Sequence, residues 1–435
     1  MKAIDVQFSV GTSGYVHRDL MAIKGGARPN GFVYEGAPVL PGYRRIVEPG
    51  TTVSVMLMLE DGQIAFGDCA DVILAGVAGR DRVFVADEHM SFLTGEMRDM
   101  LLGLDFGSFR ANAERIDRHQ VGRRPMHMAL RYGLAQALLH AAALSTKRLP
   151  CEIIAQDYGC QLASAPVPIL ASGHRDDPAQ LDRMILKRVG LLPHASFNVV
   201  ADHIGLKGEK LIAFAKMVAT RITQIGDADY RPRIHLDVYG TLGELFANDT
   251  SAIADYIGTL GAAAQPFGLL VESPIIAGSR PQQAELFSAL KAALRRKGIG
   301  VGIIVDEWAN TLDDIKYFAD AGAADFIQVK TPDLGGLNNT IEALIHCKSR
   351  NMGACLGGTG NETDHSARLC VHIGLACRPD FMLSKPGLGF DEAFMVQTNE
   401  MARTLTLLAA RSRGAAEGEA HGRSNSFVRS GSGNA

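Results

Sequence analysis

The sequence predicts a (β/α)8 barrel of the TIM type, preceded by an α+β capping domain. Three short apolar runs, IHLDVYG, LLVESP and GIIVDEW, carry an acid near their carboxyl ends, at Asp237, Glu272 and Asp306. A fourth run, FIQVKTPD, carries Lys330. Successive charges are 24 to 35 residues apart, which is close to the roughly 30 residues of one βα unit. An apolar run with a charge only at its carboxyl end is typical of a parallel strand whose tip faces a site.

Residues 1–160 form the predicted capping domain. The runs TTVSVMLMLE and QIAFGDCA flank Asp61-Gly62, which is a hairpin signal. A helix is predicted from about Met126 to Ser145, where leucine and alanine recur at helical spacing. Because this mixed unit does not follow the βα spacing, we expect a separate domain that lies over the barrel mouth.

Residues 161–410 form the predicted barrel. A helix is predicted over 311–322, where Thr311 and Asp314 form a capping box and Gly322 marks the end. Another is predicted over 340–350. Eight strands within about 220 residues agree with a barrel of usual size. The candidate strands are VPILAS, SFNVV, RIHLDVYG, FGLLVES, GIIVDEW, FIQVK, GACLGG and FMLSKPG.

The composition is that of a globular protein with ample core. Of 435 residues, 47% are hydrophobic and 21% are charged, and the net charge of −3 gives no reason to expect nucleic acid or an anionic membrane as a partner. No run approaches the ~18–20 apolar residues of a membrane span, and the start, MKAIDVQFSV, alternates like a strand instead of a signal peptide. Residues 411–435 contain almost no large apolar residue, so a disordered tail is predicted there.

The cysteines indicate a reducing environment. There are seven, an odd number, and they are scattered along the chain without a C-x-x-C pair. Disulfide frameworks and zinc sites use regular cysteine spacings, so neither is expected. We therefore expect the protein in the cytoplasm.

Asp237, Glu272 and Asp306 form a candidate metal site. Their oxygen donors suit Mg²⁺ or Mn²⁺ better than zinc or copper, which prefer nitrogen and sulfur. One acid at a strand end is more often an ordinary solvated helix cap. Because three consecutive strands end in this way, we favour a divalent cation at the barrel mouth.

Lys330 is the candidate base beside that site. It ends the next strand, and a nearby dication would lower its pKa towards the range useful for proton abstraction. The alternative is a surface lysine that reaches out from a strand end. Gln328 would point the same way and could hydrogen-bond a substrate. His194, just before the second candidate strand, would face Lys330 across the mouth, although a lone histidine is more often structural.

The segment GGTGNET, residues 357–363, follows the seventh candidate strand. Its glycines could present backbone N–H groups to a phosphate or a carboxylate. Glu362 and the nearby His365 are expected to be solvated or to support this loop.

Such a constellation suits abstraction of a weakly acidic proton next to a carboxylate. The metal would stabilise the ene-diolate and the base would face the C–H bond. Deprotonation then allows either racemisation or loss of a β leaving group.

At these residues the chain resembles the methylaspartate ammonia-lyases of the enolase superfamily, over nearly all its length except the tail. The resemblance implies a capping domain on a barrel, a homodimer, Mg²⁺ with K⁺ as an activator, and an amino-acid substrate. The implied reaction is reversible elimination of ammonia from (2S,3S)-3-methylaspartate to give mesaconate. The motifs that carry the resemblance are AIKGGA, GDCA, GRD, RYG, LPHA, GLKGEKL, HLDVYGT, VDEW, QVKTPDLGG, GGTGNET and KPGLG.

The resemblance also implies roles for individual residues. Asp237, Glu272 and Asp306 match the metal ligands. Lys330 matches the base that takes the C3 proton of the (S)-configured substrate, and His194 matches the group on the opposite face. The positions that match substrate contacts are Gln328, Thr359, Gly360, Ser172, Leu383 and Ile73.

Three of these positions depart from the family pattern. The family has Gln in place of Ile73, Gln in place of Ser172 and Cys in place of Gly360. Loss of an amide partner can cost roughly 0.5–3 kcal/mol of binding. A lyase or racemase of the same superfamily that acts on a different, substituted amino acid is therefore the second hypothesis. A non-catalytic scaffold or storage protein with the same fold is the third.

Overall fold

The computed structural model describes the backbone of residues 1–77, 79–385, 387 and 389–428, and the side chains as far as residue 413. The strands are β1 (Ala3–Arg18), β2 (Arg28–Asn30), β3 (Val33–Glu35), β4 (Val47–Leu59), β5 (Ile64–Cys69), β6 (Gln120–Val121), β7 (Arg124–Pro125), β8 (Ile169–Ser172), β9 (Leu191–Ser196), β10 (Arg233–Asp237), β11 (Gly268–Glu272), β12 (Gly302–Val305), β13 (Phe326–Lys330), β14 (Gly353–Gly357) and β15 (Phe381–Leu383).

The strands alternate with helices in the second part of the chain. The helical segment Leu93–Met97 is kinked at Gly95, and a short π-helical segment lies at Val200–Ile204. The α-helices are α1 (Leu20–Lys24), α2 (Ala86–Phe92), α3 (Arg98–Leu102), α4 (Phe109–Asp117), α5 (Met128–Thr146), α6 (Pro150–Tyr158), α7 (Pro178–Leu186), α8 (Glu209–Ile225), α9 (Thr241–Leu245), α10 (Thr250–Ala263), α11 (Arg280–Arg296), α12 (Leu312–Ala321), α13 (Leu337–Ser349), α14 (Asp364–Cys377) and α15 (Phe390–Val428).

Strands β8 to β15 close into a parallel barrel, in chain order around the ring. The predicted TIM-type barrel is therefore confirmed. Neighbouring strands end at similar heights, with Asp237 opposite Glu272 and Lys330 opposite Gly357. One apolar cluster, formed by residues of six barrel strands, packs below these strand ends: Leu170, Leu191, Leu270, Ile304, Cys355, Phe381 and Leu383.

The capping domain is built on an antiparallel sheet of β1, β4 and β5. Strands β4 and β5 form the predicted hairpin across Asp61-Gly62, with Met58 paired to Ile64. The helix predicted from about Met126 to Ser145 is α5, which runs from Met128 to Thr146 and packs against β5. The backbones of α5 and β5 are so close that a Cβ on Gly67 of β5 would lie 2.1 Å from the carbonyl oxygen of Gly133 of α5.

The capping domain lies on the mouth of the barrel. Ser13 Oγ donates to Asn361 Oδ1 over 3.0 Å, and Ile73 N donates to Thr359 Oγ1 over 3.2 Å. Asn361 and Thr359 follow β14, at the carboxyl end of the barrel. Residue 160, where we predicted the capping domain to end, falls in the irregular segment between α6 and β8.

The second barrel strand was placed wrongly from the sequence. We predicted SFNVV, but β9 is Leu191–Ser196, and Val200 begins a π-helical segment. The run SFNVV favours a strand prediction because it contains β-branched and aromatic residues. Tertiary pairing decides otherwise, since Leu192 pairs with Ile234 of β10 and Leu191 with Leu170 of β8.

The predicted helix over 311–322 is confirmed as α12. Thr311 Oγ1 accepts from Asp314 N, Asp314 Oδ2 accepts from Thr311 N, and Gly322 ends the helix with φ of +58°. The helix predicted over 340–350 is confirmed as α13, which begins earlier, at Leu337, and ends at Ser349 with Arg350 as its C-cap.

The carboxyl-terminal region differs from the sequence prediction of a disordered tail from 411 to 435. Helix α15 continues to Val428, and residues 429–435 lie outside the described residues. Arg411 contacts the capping domain through the Glu152 carboxylate and, over 3.4 Å, the carbonyl oxygen of Lys147. Among the described helices, none is both long and apolar enough to cross a bilayer.

Candidate active site

Three buried carboxylates lie at the carboxyl ends of consecutive barrel strands. Asp237 ends β10, Glu272 ends β11 and Asp306 directly follows β12. Each residue is at most 4% exposed. Because alternate residues of a strand face the same side, Asp237 and Glu272 share the inner face with His235 and Leu270.

The acids repel one another electrostatically. Burial raises the pKa of Asp237 well above its usual range, and the charges of Glu272 and Asp306 raise it further. Burial also raises the pKa of Asp306, to about 6. Burial would raise the pKa of Glu272, but the imidazoles of His194 and His235, whose Nε2 atoms lie 3.8 Å and 2.8 Å from its Oε2, outweigh burial and hold this pKa well below its usual range. The cluster therefore carries buried negative charge that a cation would relieve.

The donor set fits Mg²⁺, because the acids offer only oxygen. In the chain itself they are engaged by other side chains: Lys330 binds Asp306, and Gln328 Nε2 donates to Glu272 Oε2 over 2.8 Å. Among the described residues, the ligand atoms of His194, His235 and Glu272 also lie within 4.8 Å of one another, so this group too could hold a metal ion.

Lys330 Nζ contacts both carboxylate oxygens of Asp306, at 2.7 Å and 2.8 Å. Burial disfavours the charged amine, but the Asp306 carboxylate raises the pKa of Lys330 above its usual range. The lower pKa that we expect from the sequence is that of a lysine beside a bound dication, and it stays a prediction. Without a bound cation, the effect of the Asp306 carboxylate on the pKa of Lys330 outweighs that of burial.

His194 lies on the side of the barrel mouth opposite Lys330. Its Nε2 is 3.9 Å from Asp237 Oδ2 and 3.8 Å from Glu272 Oε2. Strands β9 and β13, which carry His194 and Lys330, are separated by β10, β11 and β12 in the ring of eight. The two candidate proton-transfer groups therefore face each other across the three acids, as the sequence predicted.

The remaining predicted substrate positions also lie at this end of the barrel. Gln328 is on β13, Ser172 ends β8 and pairs with His194, and Leu383 ends β15. Ile73 lies beside Gly360: a Cβ on Gly360 would lie 2.9 Å from Ile73 Cδ1. The isoleucine therefore fills space that the side chain at position 360 would need.

A buried ion pair behind the 357–363 loop was missed from the sequence. Lys385 Nζ lies 3.0 Å from Glu362 Oε2, and both side chains are fully buried. Glu362 was expected to be solvated or to support the loop. It is not solvated, and its Oε2 accepts from Thr359 N over 2.8 Å. Tyr132, from the capping domain, donates to Glu362 Oε1 over 2.5 Å.

We expect Lys385→Met to lower the free energy of unfolding by about 3–5 kcal/mol, because it leaves the Glu362 charge buried without its partner. Urea denaturation would measure the loss. Adding Glu362→Gln should restore part of it. Lys297→Met, at an exposed ion pair with Asp255, is the matched control and should change stability by less than about 1 kcal/mol.

Comparison with known proteins identifies the family. The family model "Methylaspartate ammonia-lyase N-terminus" matches residues 1–159, and "Methylaspartate ammonia-lyase C-terminus" matches residues 161–410. The chain belongs to the methylaspartate ammonia-lyase family. As a member of this ammonia-lyase family it is a carbon–nitrogen lyase, and the resemblance seen in the motifs is confirmed. The known reaction of the family is Mg²⁺-dependent deamination to mesaconate.

Several methylaspartate ammonia-lyases are similar over almost their full length. Methylaspartate ammonia-lyase 2 of Carboxydothermus hydrogenoformans is 48% identical over 412 residues, covering 94% of this chain and 99% of the relative. The crystal structure of β-methylaspartase from Clostridium tetanomorphum, a Mg complex, is 42% identical with a TM-score of 0.91, covering 94% of this chain and all of the other. Muconate lactonizing enzyme from Pseudomonas fluorescens, at 16% identity and a TM-score of 0.60 over 89% of each chain, shares the fold.

Proposed function

We propose that this protein eliminates ammonia from (2S,3S)-3-methylaspartate to give mesaconate, reversibly and with Mg²⁺. The observation that carries the proposal is the placement of Lys330 and His194 on opposite sides of three buried acids. The methylaspartate ammonia-lyase family of the chain supports the same substrate.

Lys330 would act as the base for the (S)-configured C3. It takes the C3 proton, and the electron pair of that C–H bond delocalises onto the neighbouring carboxylate. The pair then forms the C2–C3 double bond while the C2–N bond breaks with its electrons leaving on ammonia. His194 would serve the opposite face of C3. Gln328 and Thr359 would hold the substrate by hydrogen bonds.

Asp237, Glu272 and Asp306 would hold Mg²⁺. The bound cation supplies positive charge that offsets the negative charge developing on the substrate carboxylate next to C3. For Lys330 to accept a proton, its amine must first lose the proton that Asp306 stabilises. Binding of a cation by Asp306 favours that loss, because it replaces the carboxylate charge that Lys330 faces.

We also propose that the protein works as a homodimer in the cytoplasm, with K⁺ as an activator. The family resemblance supports the dimer and the K⁺. All seven cysteines are free thiols, which agrees with a reducing compartment.

A second candidate is elimination from a differently substituted aspartate. It is favoured by the positions of Ile73 and Gly360, which lie beside each other and hold an apolar side chain and a glycine where the family pattern has Gln and Cys. Ser172 likewise has a shorter polar side chain than the glutamine of the family. A pocket with fewer polar partners discriminates less in favour of a polar substituent.

The test is a spectrophotometric assay with Mg²⁺ and (2S,3S)-3-methylaspartate that follows mesaconate by its ultraviolet absorbance. Mg²⁺-dependent product at rates of about 1–10³ per second is expected. If no product forms although Mg²⁺ raises the melting temperature, the first candidate is wrong, and N-substituted and 3-substituted aspartates test the second. If Mg²⁺ raises neither the melting temperature nor the rate with any of these substrates, both candidates are wrong.

A further inference from the structure

Arg80 of the capping domain makes three buried hydrogen bonds to the barrel. Its Nε donates to Asp333 Oδ1 over 2.9 Å and its Nη2 to Asp333 Oδ2 over 3.0 Å. The same Nη2 donates to Asn310 Oδ1 over 2.8 Å. The side chain of Arg80 is 6% exposed and that of Asp333 is fully buried. We call Arg80, Asp333 and Asn310 the Arg80 cluster.

The cluster joins the capping domain to the two barrel loops nearest the chemistry. Asp333 lies three residues after Lys330, and Asn310 lies four residues after Asp306. Both loops follow strands that end at the mouth. Arg80 is therefore docked on the barrel at the level of the mouth.

The segment between β5 and α2, which carries Arg80, also carries Ile73. Ile73 N donates to Thr359 Oγ1 on the barrel, and its carbonyl accepts from Arg18 N over 2.9 Å. The base of the segment is fixed by the buried Asp71, whose Oδ2 accepts from Phe84 N over 2.9 Å. Beyond Asp71, the segment is hydrogen-bonded to the barrel at Ile73 and at Arg80.

The geometry requires arginine. A planar guanidinium can give two parallel hydrogen bonds to one carboxylate and still reach a third acceptor, whereas the ammonium of lysine is a point donor. The neighbouring Asp81 is directed elsewhere, because its Oδ2 accepts from Met128 N at the start of α5. The dipeptide Arg80-Asp81 therefore fixes the segment both to the barrel and to its own domain.

We propose that Arg80 is a positioning residue for substrate binding: it holds the segment that carries Ile73 closed over the barrel mouth. The proposal rests on the function proposed above. Arg80 does not touch the reacting atoms and acts through the placement of Ile73.

The expected kinetic effect follows from a population shift. If the closed segment is the state that binds substrate, the apparent affinity falls in proportion to the closed fraction. Saturating substrate restores the closed state, so the turnover number changes little. A residue that only stabilises the fold would instead lower the amount of active enzyme without raising KM.

The experiment compares Arg80→Lys and Arg80→Ala in the full-length chain with Mg²⁺. KM for 3-methylaspartate should rise about tenfold or more in Arg80→Ala and less in Arg80→Lys, with kcat within about twofold of the parent. Arg82→Ala is the matched control, since Arg82 pairs with Glu88 on the surface and both side chains are about half exposed. Its KM should not change.

Hydrogen–deuterium exchange tests the same proposal without catalysis. Amides from Asp71 to Gly76 should exchange faster in Arg80→Ala than in the parent or in Arg82→Ala, while those of β10 to β13 should not. An unchanged exchange rate, or a fall in kcat at constant KM, overturns the proposal. If the parent fails to turn over 3-methylaspartate, the proposed function fails, and the exchange result alone decides the role of Arg80.

Discussion

Replacing Lys330 with alanine is expected to abolish turnover of (2S,3S)-3-methylaspartate. Removal of a positioned base typically lowers a rate by about 10²–10⁴-fold. The amine at this position is the one that contacts Asp306 and faces His194 across the acids. Single-turnover measurement of mesaconate formation would give the loss in the chemical step itself.

Mg²⁺ binding should survive this substitution. Lys330 occupies both oxygens of Asp306, so its removal frees a carboxylate and leaves the cluster with more negative charge. Isothermal titration should therefore show an affinity for Mg²⁺ at least as high as that of the parent. Lys297→Ala is the control and should keep full activity, because Lys297 is an exposed residue at the carboxyl end of α11, before β12 begins and therefore at the end of the barrel away from the mouth. Near-parental turnover in Lys330→Ala would show that the base is another group.

The positions of the acids and of Lys330 could be predicted because their signal is local. Each is the first charge after a short apolar run, and such a run in a parallel barrel ends at the mouth. Asp237, Glu272 and Lys330 end their strands, and Asp306 follows its strand directly. The spacing of the runs was sufficient to predict both the fold and the level of these side chains.

Two features could not be found locally, because their partners are distant in the sequence. Tyr132 and Glu362 are 230 residues apart, and Arg80 and Asp333 are 253 apart. In the sequence, Glu362 has no feature that distinguishes it from a solvated acid in a polar loop, because the residues that bury it are in the capping domain and elsewhere in the barrel. The register of β9 failed for a related reason, since pairing with β8 and β10 outweighs the strand propensity of SFNVV.

Replacing Asp306 with asparagine should weaken Mg²⁺ binding and activity together. The substitution keeps an oxygen donor and the size of the side chain but removes one negative charge from a site that is 4% exposed. A neutral amide is a poorer ligand for a hard dication than a carboxylate. We expect the dissociation constant for Mg²⁺ to rise about tenfold or more, which corresponds to about 1.4 kcal/mol, and kcat/KM to fall at subsaturating Mg²⁺.

Isothermal titration and the Mg²⁺-dependent rise in melting temperature measure this effect independently of turnover. Asp313→Asn is the matched control. Asp313 also follows β12, but it is an exposed acid in the first turn of α12. Unchanged Mg²⁺ affinity in Asp306→Asn would contradict the ligand assignment. Excess Mg²⁺ should recover much of the activity of Asp306→Asn but none of that of Lys330→Ala, because only the first defect is one of binding. The pair of variants therefore separates the metal ligand from the base, although the two side chains are in direct contact.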